Sequence, residues 1–375
     1  MSRRLLLAGG GHSHIEVLRR WALAPEPGIE LVLLSPDRHA AYSGMLPGHI
    51  AGHYSHTDCH IDLDALCDAA GATRIATTVA GLDPLARRVI AGDGSTQDYD
   101  WLAINVGSTP ATAGIAGSDR HGIAVKPVAR FLAHWEELRA AALSAPRALE
   151  LVVVGNGAAG VEVVLAMQRR IAGEGGRAHF TLVGDSPELL PAHPAAVRRR
   201  FAQKLKDRGI RLRMGLPVIR ASAGLLKFAD DSSLTFDEVL WITGAGAPAW
   251  PRTSGLECDE RGFIRIDATL RSLSHPEVFA SGDVAGMVDA PRPKSGVYAV
   301  RQGPPLHDNL RCALRGEPLR EYRPQRRALA LISSSDGSAV ASYGPLSWQG
   351  EWVWRWKERI DRGFMARYRG NSDKN

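Results

Sequence analysis

The sequence predicts an α/β protein built from two similar units, one inserted into the other, on three observations. Apolar runs of strand length, Leu5–Ala8 and Leu151–Val154, each break into a glycine-rich turn and resume as a helix-compatible stretch. Each run is echoed downstream by a strand ending at glycine, Tyr99–Ser108 for the first and Phe236–Gly246 for the second. A further strand, Glu277–Asp283, closes on Ala-Ser-Gly-Asp. Strand–glycine turn–helix is the opening of a dinucleotide-binding unit, so the predicted fold is two Rossmann-like three-layer nucleotide-binding domains plus a C-terminal segment. The expected boundaries are 1–120 with 256–325 for the outer domain, 121–255 for the inserted one and 326–375 for the C-terminal segment.

Composition agrees with a soluble globular chain. Its 375 residues are long for one core, with 45% apolar and 23% charged residues and 39 glycines. Net charge is 46 − 40 = +6, and half of it lies between Glu351 and Arg369, where six basic residues face three acids. The four cysteines form no close redox pair, which fits a reducing compartment. No apolar run approaches the roughly 20 residues of a membrane span. The run after Arg3-Arg4 breaks at Gly9, too early for a signal peptide, so a cytoplasmic location is expected.

In the first unit, Gly9 permits a tight turn, Gly11 lets the backbone approach a pyrophosphate, and the following helix points free N–H groups at it. The third fingerprint glycine is replaced by His14. The second strand, Ile29–Leu34, ends at Ser35 where many such folds place a ribose-binding acid. A Gly/Pro loop follows, Asp37–Gly48, and then His49, His53, His56 and His60 around Asp58 and Cys59. Their spacing matches no metal-ligand pattern, so no metal is expected and the stretch reads as a polar loop over a ligand.

The second unit is complete: Gly155, Gly157 and Gly160 follow the strand, and an apolar helix follows them. Its next strand, His179–Val183, ends at Gly184-Asp185, and an acid there favours the unphosphorylated ribose of NADH, with NADPH left open. The basic helix Pro194–Arg208 reads as a solvated face rather than a nucleic-acid site. Asp283 projects a carboxylate at the carbonyl edge of the sheet, placed for a ribityl hydroxyl of a flavin. Arg292–Gln302 then enters a helix whose N-terminus suits negative charge on a reduced flavin ring.

This set of motifs resembles the two-dinucleotide flavoprotein oxidoreductases. Gly-Gly-Gly-His-Ser-His, Tyr-Ser-Gly-Met-Leu-Pro-Gly and Gly-Val-Tyr-Ala-Val-Arg-Gln-Gly are similar to type II NADH dehydrogenases and the related branch often fused to selenide, water dikinase. The resemblance implies FAD held by Gly9, Gly11, His12, Ser35, Gly107, Gly282 and Asp283, with Gly296 and Val297 by its ring. It implies NAD(P)H at Gly155, Gly157, Gly160, Asp185 and Gly244, with Glu162 near the nicotinamide end and Lys294 near the flavin ring as candidate catalytic residues. Hydride would pass from nicotinamide to flavin N5, and electrons onward to a small-molecule acceptor that the sequence leaves unidentified. Quinone-reducing relatives carry Ala-Gln and Gln-Gln where this chain has Gly296-Val297 and Arg301-Gln302. Quinone reduction at a membrane surface, a selenium- or sulfur-linked reductase with Cys59 as nucleophile, and a flavin module without fast turnover are the alternatives.

In the tail, Trp352, Val353, Trp356, Ile360 and Phe364 fall on one face of a helix wheel, with Arg355, Arg359, Arg362 and Arg369 beside it. Trp and Arg at an apolar–polar border suit peripheral contact with the inner face of a membrane. The competing expectation is packing on the body or in a homodimer, because Gly363 is read as interrupting the helix.

Overall fold

The computed structural model describes residues 3–369. Its ten central strands are β1 (Arg3–Ala8), β2 (Ile29–Leu34), β3 (Thr73–Ile75), β4 (Trp101–Ile104), β5 (Ile123–Ala124), β6 (Leu149–Val154), β7 (Ala178–Val183), β8 (Arg211–Arg213), β9 (Glu238–Trp241) and β10 (Val278–Ala280). They form two five-stranded parallel sheets, ordered β10-β4-β1-β2-β3 and β5-β9-β6-β7-β8. The plan is the same in both. The glycine-preceding strand sits in the middle, the second strand on one side and the later strand–glycine return on the other. In the first sheet Leu5–Ala8 pair with Leu31–Leu34 and with Trp101–Ile104. In the second, Leu151–Val154 pair with Phe180–Val183 and with Glu238–Trp241.

Such strands are covered on both faces, which is why they read as continuous apolar runs. Leu5, Leu6 and Leu7 are fully buried. Helices α1 (His12–Leu23), α2 (Val128–Ser144), α3 (Ala158–Gly173), α4 (Ala195–Asp207) and α5 (Gly296–Arg315) supply the cover. In the second unit Leu151, Val153 and Leu182 join the helix side of the core. Val152, Val154 and Val183 join Leu226 and Phe228 of a three-stranded antiparallel sheet on the other side. The chain leaves the first unit at Thr109–Pro110 and returns at Ala245–Gly246, and these two crossings pair with each other antiparallel.

Toward the C-terminal end, β11 (Ala330–Ser333), β12 (Ala339–Tyr343) and β13 (Leu346–Gly350) make an antiparallel sheet that leads into α6 (Glu351–Ala366). Two expectations are corrected here. Gly363 does not interrupt α6, which runs on to Ala366; packing outweighs glycine's cost of about 1 kcal/mol in a helix interior. The apolar residues also do not share one face. Val353, Phe364 and Met365 point inward together with Lys357 and Asp361, while Trp352, Trp356 and Ile360 form an exposed ridge.

The basic helix α4 is not merely solvated. Its Arg198 pairs with Glu188, its Arg200 donates to Ser347 Oγ at 2.9 Å, and Lys204 with Arg208 hold Asp336 of the C-terminal segment.

Candidate functional site

The two glycine turns face outward from the carbonyl ends of β1 and β6. Gly9 and Gly155 take φ of +98° and +135°, open to glycine at little cost. A Cβ on Gly9 would meet the Asn105 carbonyl at 2.5 Å, and one on Gly155 the Ile242 carbonyl at 2.0 Å. Gly11 is tight for a reason the sequence did not give: a Cβ there would lie 1.4 Å from Asn105 Oδ1. Asn105 is buried and donates to Ser281 Oγ at 2.7 Å, tying the β4 return to the β10 return. Gly157 differs, because among the described residues nothing beyond its chain neighbours lies within 4 Å of its Cβ position. That open side is where a ligand backbone can approach.

At the third position Gly160 leaves no room for a side chain, its Cβ site lying 1.7 Å from the Gly155 carbonyl. His14 holds the corresponding place in the first unit and donates from Nδ1 to the Gly9 carbonyl at 2.6 Å. Burial drops its pKa to about 4, so the ring is neutral.

Asp283 lies on a 3₁₀ turn just past β10. Its Oδ2 accepts from Lys126 Nζ at 2.8 Å and from Ser108 Oγ at 3.1 Å. Lys126 also donates to Ser108 Oγ at 2.9 Å. Neither Lys126 nor Ser108 was singled out in the sequence; Lys126 lies 157 residues from its partner and carries no motif. The Gly282 N–H is fixed by Gln302 Oε1 at 2.7 Å, so Gln302 positions this turn. His12 is neutral at ordinary pH, burial lowering its pKa to about 4 with Asp283 opposing and Lys126 assisting. Its Nε2 is buried without a partner among the described residues.

Lys294 donates to the Ala285 carbonyl and sits 4.0 Å from the centre of the Phe263 ring. Burial lowers its pKa to about 8, against the pull of Asp283 and Asp259. It lines a small cavity with Asp283, Ser295, Tyr298 and Gln302. Gly296 opens α5 at that cavity's edge, and a Cβ there would touch Ser43 Oγ at 3.0 Å; Val297 follows in the first turn.

Glu162 on α3 accepts from the Ser333 N–H at 2.7 Å, joining the second unit to the C-terminal sheet. Protein crowds its carboxyl, and the lost hydration raises its pKa to about 7, with Lys357 opposing. Lys357 and Asp361 form a buried pair at 2.6 Å. Lys357 also donates to the Gly44 carbonyl at 2.5 Å, and Tyr42 Oη to Asp361 at 3.2 Å. Tyr42 stacks on Phe364 at 4.3 Å and meets His12 edge-on at 5.7 Å. Thus α6 closes over the Tyr42–Gly44 loop beside the first glycine turn.

Ser35 borders the first glycine turn, its Oγ 2.9 Å from where a Cβ on Gly10 would stand. Ser35 is buried and donates to the Asp37 carbonyl at 3.1 Å. Asp185 is exposed just past β7 and caps its own turn at Ser186 N, 2.8 Å away. Gly107 and Gly244 have open space where a side chain would stand. Cys59 is corrected as a nucleophile: it is buried, its thiol contacts the Ser55 carbonyl at 3.3 Å, and burial pushes its pKa up to about 12. His39, His49, His56 and His60 do gather, with His56 stacked on His60 at 3.7 Å. Among the described residues, no group of three or more His, Cys, Asp or Glu is arranged to hold a metal ion.

Two like sheets, each with a glycine cradle at its carbonyl end, define a two-dinucleotide flavoprotein fold. Residues 4–303 match the pyridine nucleotide-disulphide oxidoreductase family, and the chain belongs to it. Among curated relatives it is 27% identical over 235 residues to an NADH dehydrogenase-like protein of Mycobacterium tuberculosis, covering 60% of this chain and 58% of that one. It is 23% identical over 367 residues to the type II NADH:quinone oxidoreductase of Staphylococcus saprophyticus, covering 91% and 90%. Its fold resembles the sulfide:quinone oxidoreductase of Aquifex aeolicus (TM-score 0.80, 15% identity, 98% and 91% covered). It also resembles NDH2 of Plasmodium falciparum solved with NADH (TM-score 0.78, 13% identity, 97% of both chains). FAD and NADH are the cofactors that fit the residues present. The open approach at Gly157 and the unpartnered Nε2 of His12 are both features a bound dinucleotide would complete.

Proposed function

We propose that the protein is an FAD-dependent NAD(P)H oxidoreductase that draws on NADH and passes electrons to a small-molecule acceptor. The observation carrying this reading is the pair of glycine cradles at equivalent points of two like sheets, only one of them bordered by the Asp283 turn. The bound cofactors supply the hydride chemistry, from nicotinamide to flavin N5. The residues of the chain bind and orient. The α1 and α3 N-termini offer backbone N–H groups to two pyrophosphates. Asp283 offers its Oδ1 to a ribityl hydroxyl, and Asp185 offers a carboxylate to an unphosphorylated ribose. The N-terminus of α5 and the Lys294 ammonium favour negative charge on the flavin ring. Glu162, neutral below about pH 7, is the group able to hold or give a proton at the nicotinamide end.

A second reading, quinone reduction at a membrane surface, draws support from the exposed ridge of α6. Trp352 and Trp356 stack at 6.3 Å, and Ile360, Arg355 and Arg359 flank them. Quinone is the acceptor named for the Staphylococcus saprophyticus relative. No helix of the described residues is long and apolar enough to cross a membrane.

The test is anaerobic mixing of the FAD-loaded protein with NADH and, separately, NADPH while the flavin absorbance is followed. Fast bleaching by NADH is the expected outcome, with slower bleaching by NADPH. A flavin that neither donor bleaches overturns the reading.

A further inference from the structure

Asp283 lines the same small cavity as Lys294 and Ser295 at the start of α5, so its carboxylate stands near the ring of a flavin bound there and by itself opposes the negative charge that ring gains on reduction. The structure answers it with a residue from the other unit. Lys126 follows β5, on the pyridine-nucleotide side of the Thr109–Pro110 crossing, and reaches back to Asp283 Oδ2 at 2.8 Å. Ser108, from the β4 return, is bonded to both partners and closes the triangle. Among the described residues only Oδ2 is engaged, which leaves Oδ1 for a ligand hydroxyl. Asp283 keeps 16% of its side chain exposed and Lys126 39%, so the carboxylate end of the pair is shielded from solvent and the ammonium end only partly. Lys294, the nearby ammonium from the outer unit, bonds to the Ala285 carbonyl instead.

Resting on the reading of this turn as the FAD site, we propose that Lys126 is a positioning residue supplied by the inserted unit, which aims Asp283 at the flavin and offsets its charge so that reduction is favoured. The inference ties the flavin's redox balance to the docking of the nicotinamide-binding unit. A tether that only held the two units together would stabilise the fold and retain FAD, but it would not move the reduction equilibrium of flavin already bound.

The experiment compares wild-type protein, Lys126→Met and Lys126→Arg, each full-length and loaded with FAD. The midpoint potential of bound flavin is measured against a reference dye, alongside FAD release and the melting temperature. Lys126→Met is expected to shift the reduction equilibrium toward oxidised flavin at least tenfold, about 30 mV for a two-electron couple. Lys126→Arg, which restores a cation to the same oxygens, is expected to stay within threefold of wild type. Lys126→Gln, which keeps a donor without charge, carries the test if the Met variant does not hold FAD, and it is expected to shift as Met would. An unmoved potential in the charge-free variant overturns the inference while leaving the FAD reading intact. Wild-type protein that takes up no FAD overturns the FAD reading itself, and the role of Lys126 falls with it.

Discussion

The Nδ1 of His14 donates to the Gly9 carbonyl across 2.6 Å, in the place where Gly160 lies against the Gly155 carbonyl. One turn is closed by a hydrogen bond and the other by bare backbone contact. Replacing His14 by Ala removes the donor and leaves a buried carbonyl unsatisfied, so a loss of about 1–3 kcal/mol is expected. Denaturant unfolding of the FAD-free protein would read it. An unchanged midpoint would mean the carbonyl finds another partner.

Gly157 and Gly160 should part company under the same substitution. Gly157 has extended backbone (φ −76°, ψ −178°) and open space at its Cβ position, so Gly157→Ala should fold normally. Its methyl would intrude only on a bound pyrophosphate, and the KM for NADH should rise tenfold or more. In Gly160→Ala the methyl collides with the Gly155 carbonyl, so stability should fall together with NADH use. Melting curves and NADH titrations of the two variants make the comparison. A normal KM in Gly157→Ala would place the dinucleotide elsewhere.

Glu162 gives a pH signature. Burial raises its folded pKa from 4.5 to about 7. Its protonated form therefore contributes stability that is complete below about pH 4.5 and lost as pH rises through about 7. Above that range the wild type carries the cost of a crowded carboxylate, at most on the order of 3 kcal/mol. Glu162→Gln removes the titration, so stability relative to wild type should improve from pH 5 to pH 8. Parallel urea unfolding across that range checks it. A constant difference would show that Glu162 is not the titrating group.

The contrast between the sheets and α6 shows what a sequence carries. Leu5–Ala8 and Leu151–Val154 were legible because a doubly covered strand must be apolar throughout, and the glycines beside them answer to local sterics. Lys357 and Asp361 were not. In the sequence they are two charges among the nine of the tail, whereas the fold turns them inward against Tyr42 and the Gly44 carbonyl. Asn105 and Lys126 were hidden for a related reason: each acts on a partner far along the chain, and neither sits in a periodic pattern.

That inward pair has a direct consequence. Lys357 and Asp361 are 8% and 6% exposed, so removing either partner leaves a buried group facing no counter-charge from the other. Lys357→Met should strand the carboxylate and destabilise the fold by about 3–5 kcal/mol, whereas Lys357→Met with Asp361→Leu should recover much of that loss. A double-mutant cycle in urea measures the coupling. Additive effects would mean that the two side chains do not form the pair in solution.

The ridge of α6 bears on the proposed membrane contact. Trp352 and Trp356 are 53% and 38% exposed, and Ile360, one turn on, is exposed as well. Arg355 and Arg359 border this ridge, in the arrangement of an interfacial helix. These tryptophans pack on little of the body, so Trp352→Ser with Trp356→Ser should leave the melting temperature near that of wild type. Vesicles containing anionic lipid should sediment the wild-type protein but not the double variant, and added salt should release part of the wild type because the arginines contribute. Wild-type protein that stays in the supernatant with such vesicles would remove the membrane reading, and with it the main structural support for quinone as the acceptor. Co-sedimentation that survives loss of both tryptophans would move the contact to another face of the molecule.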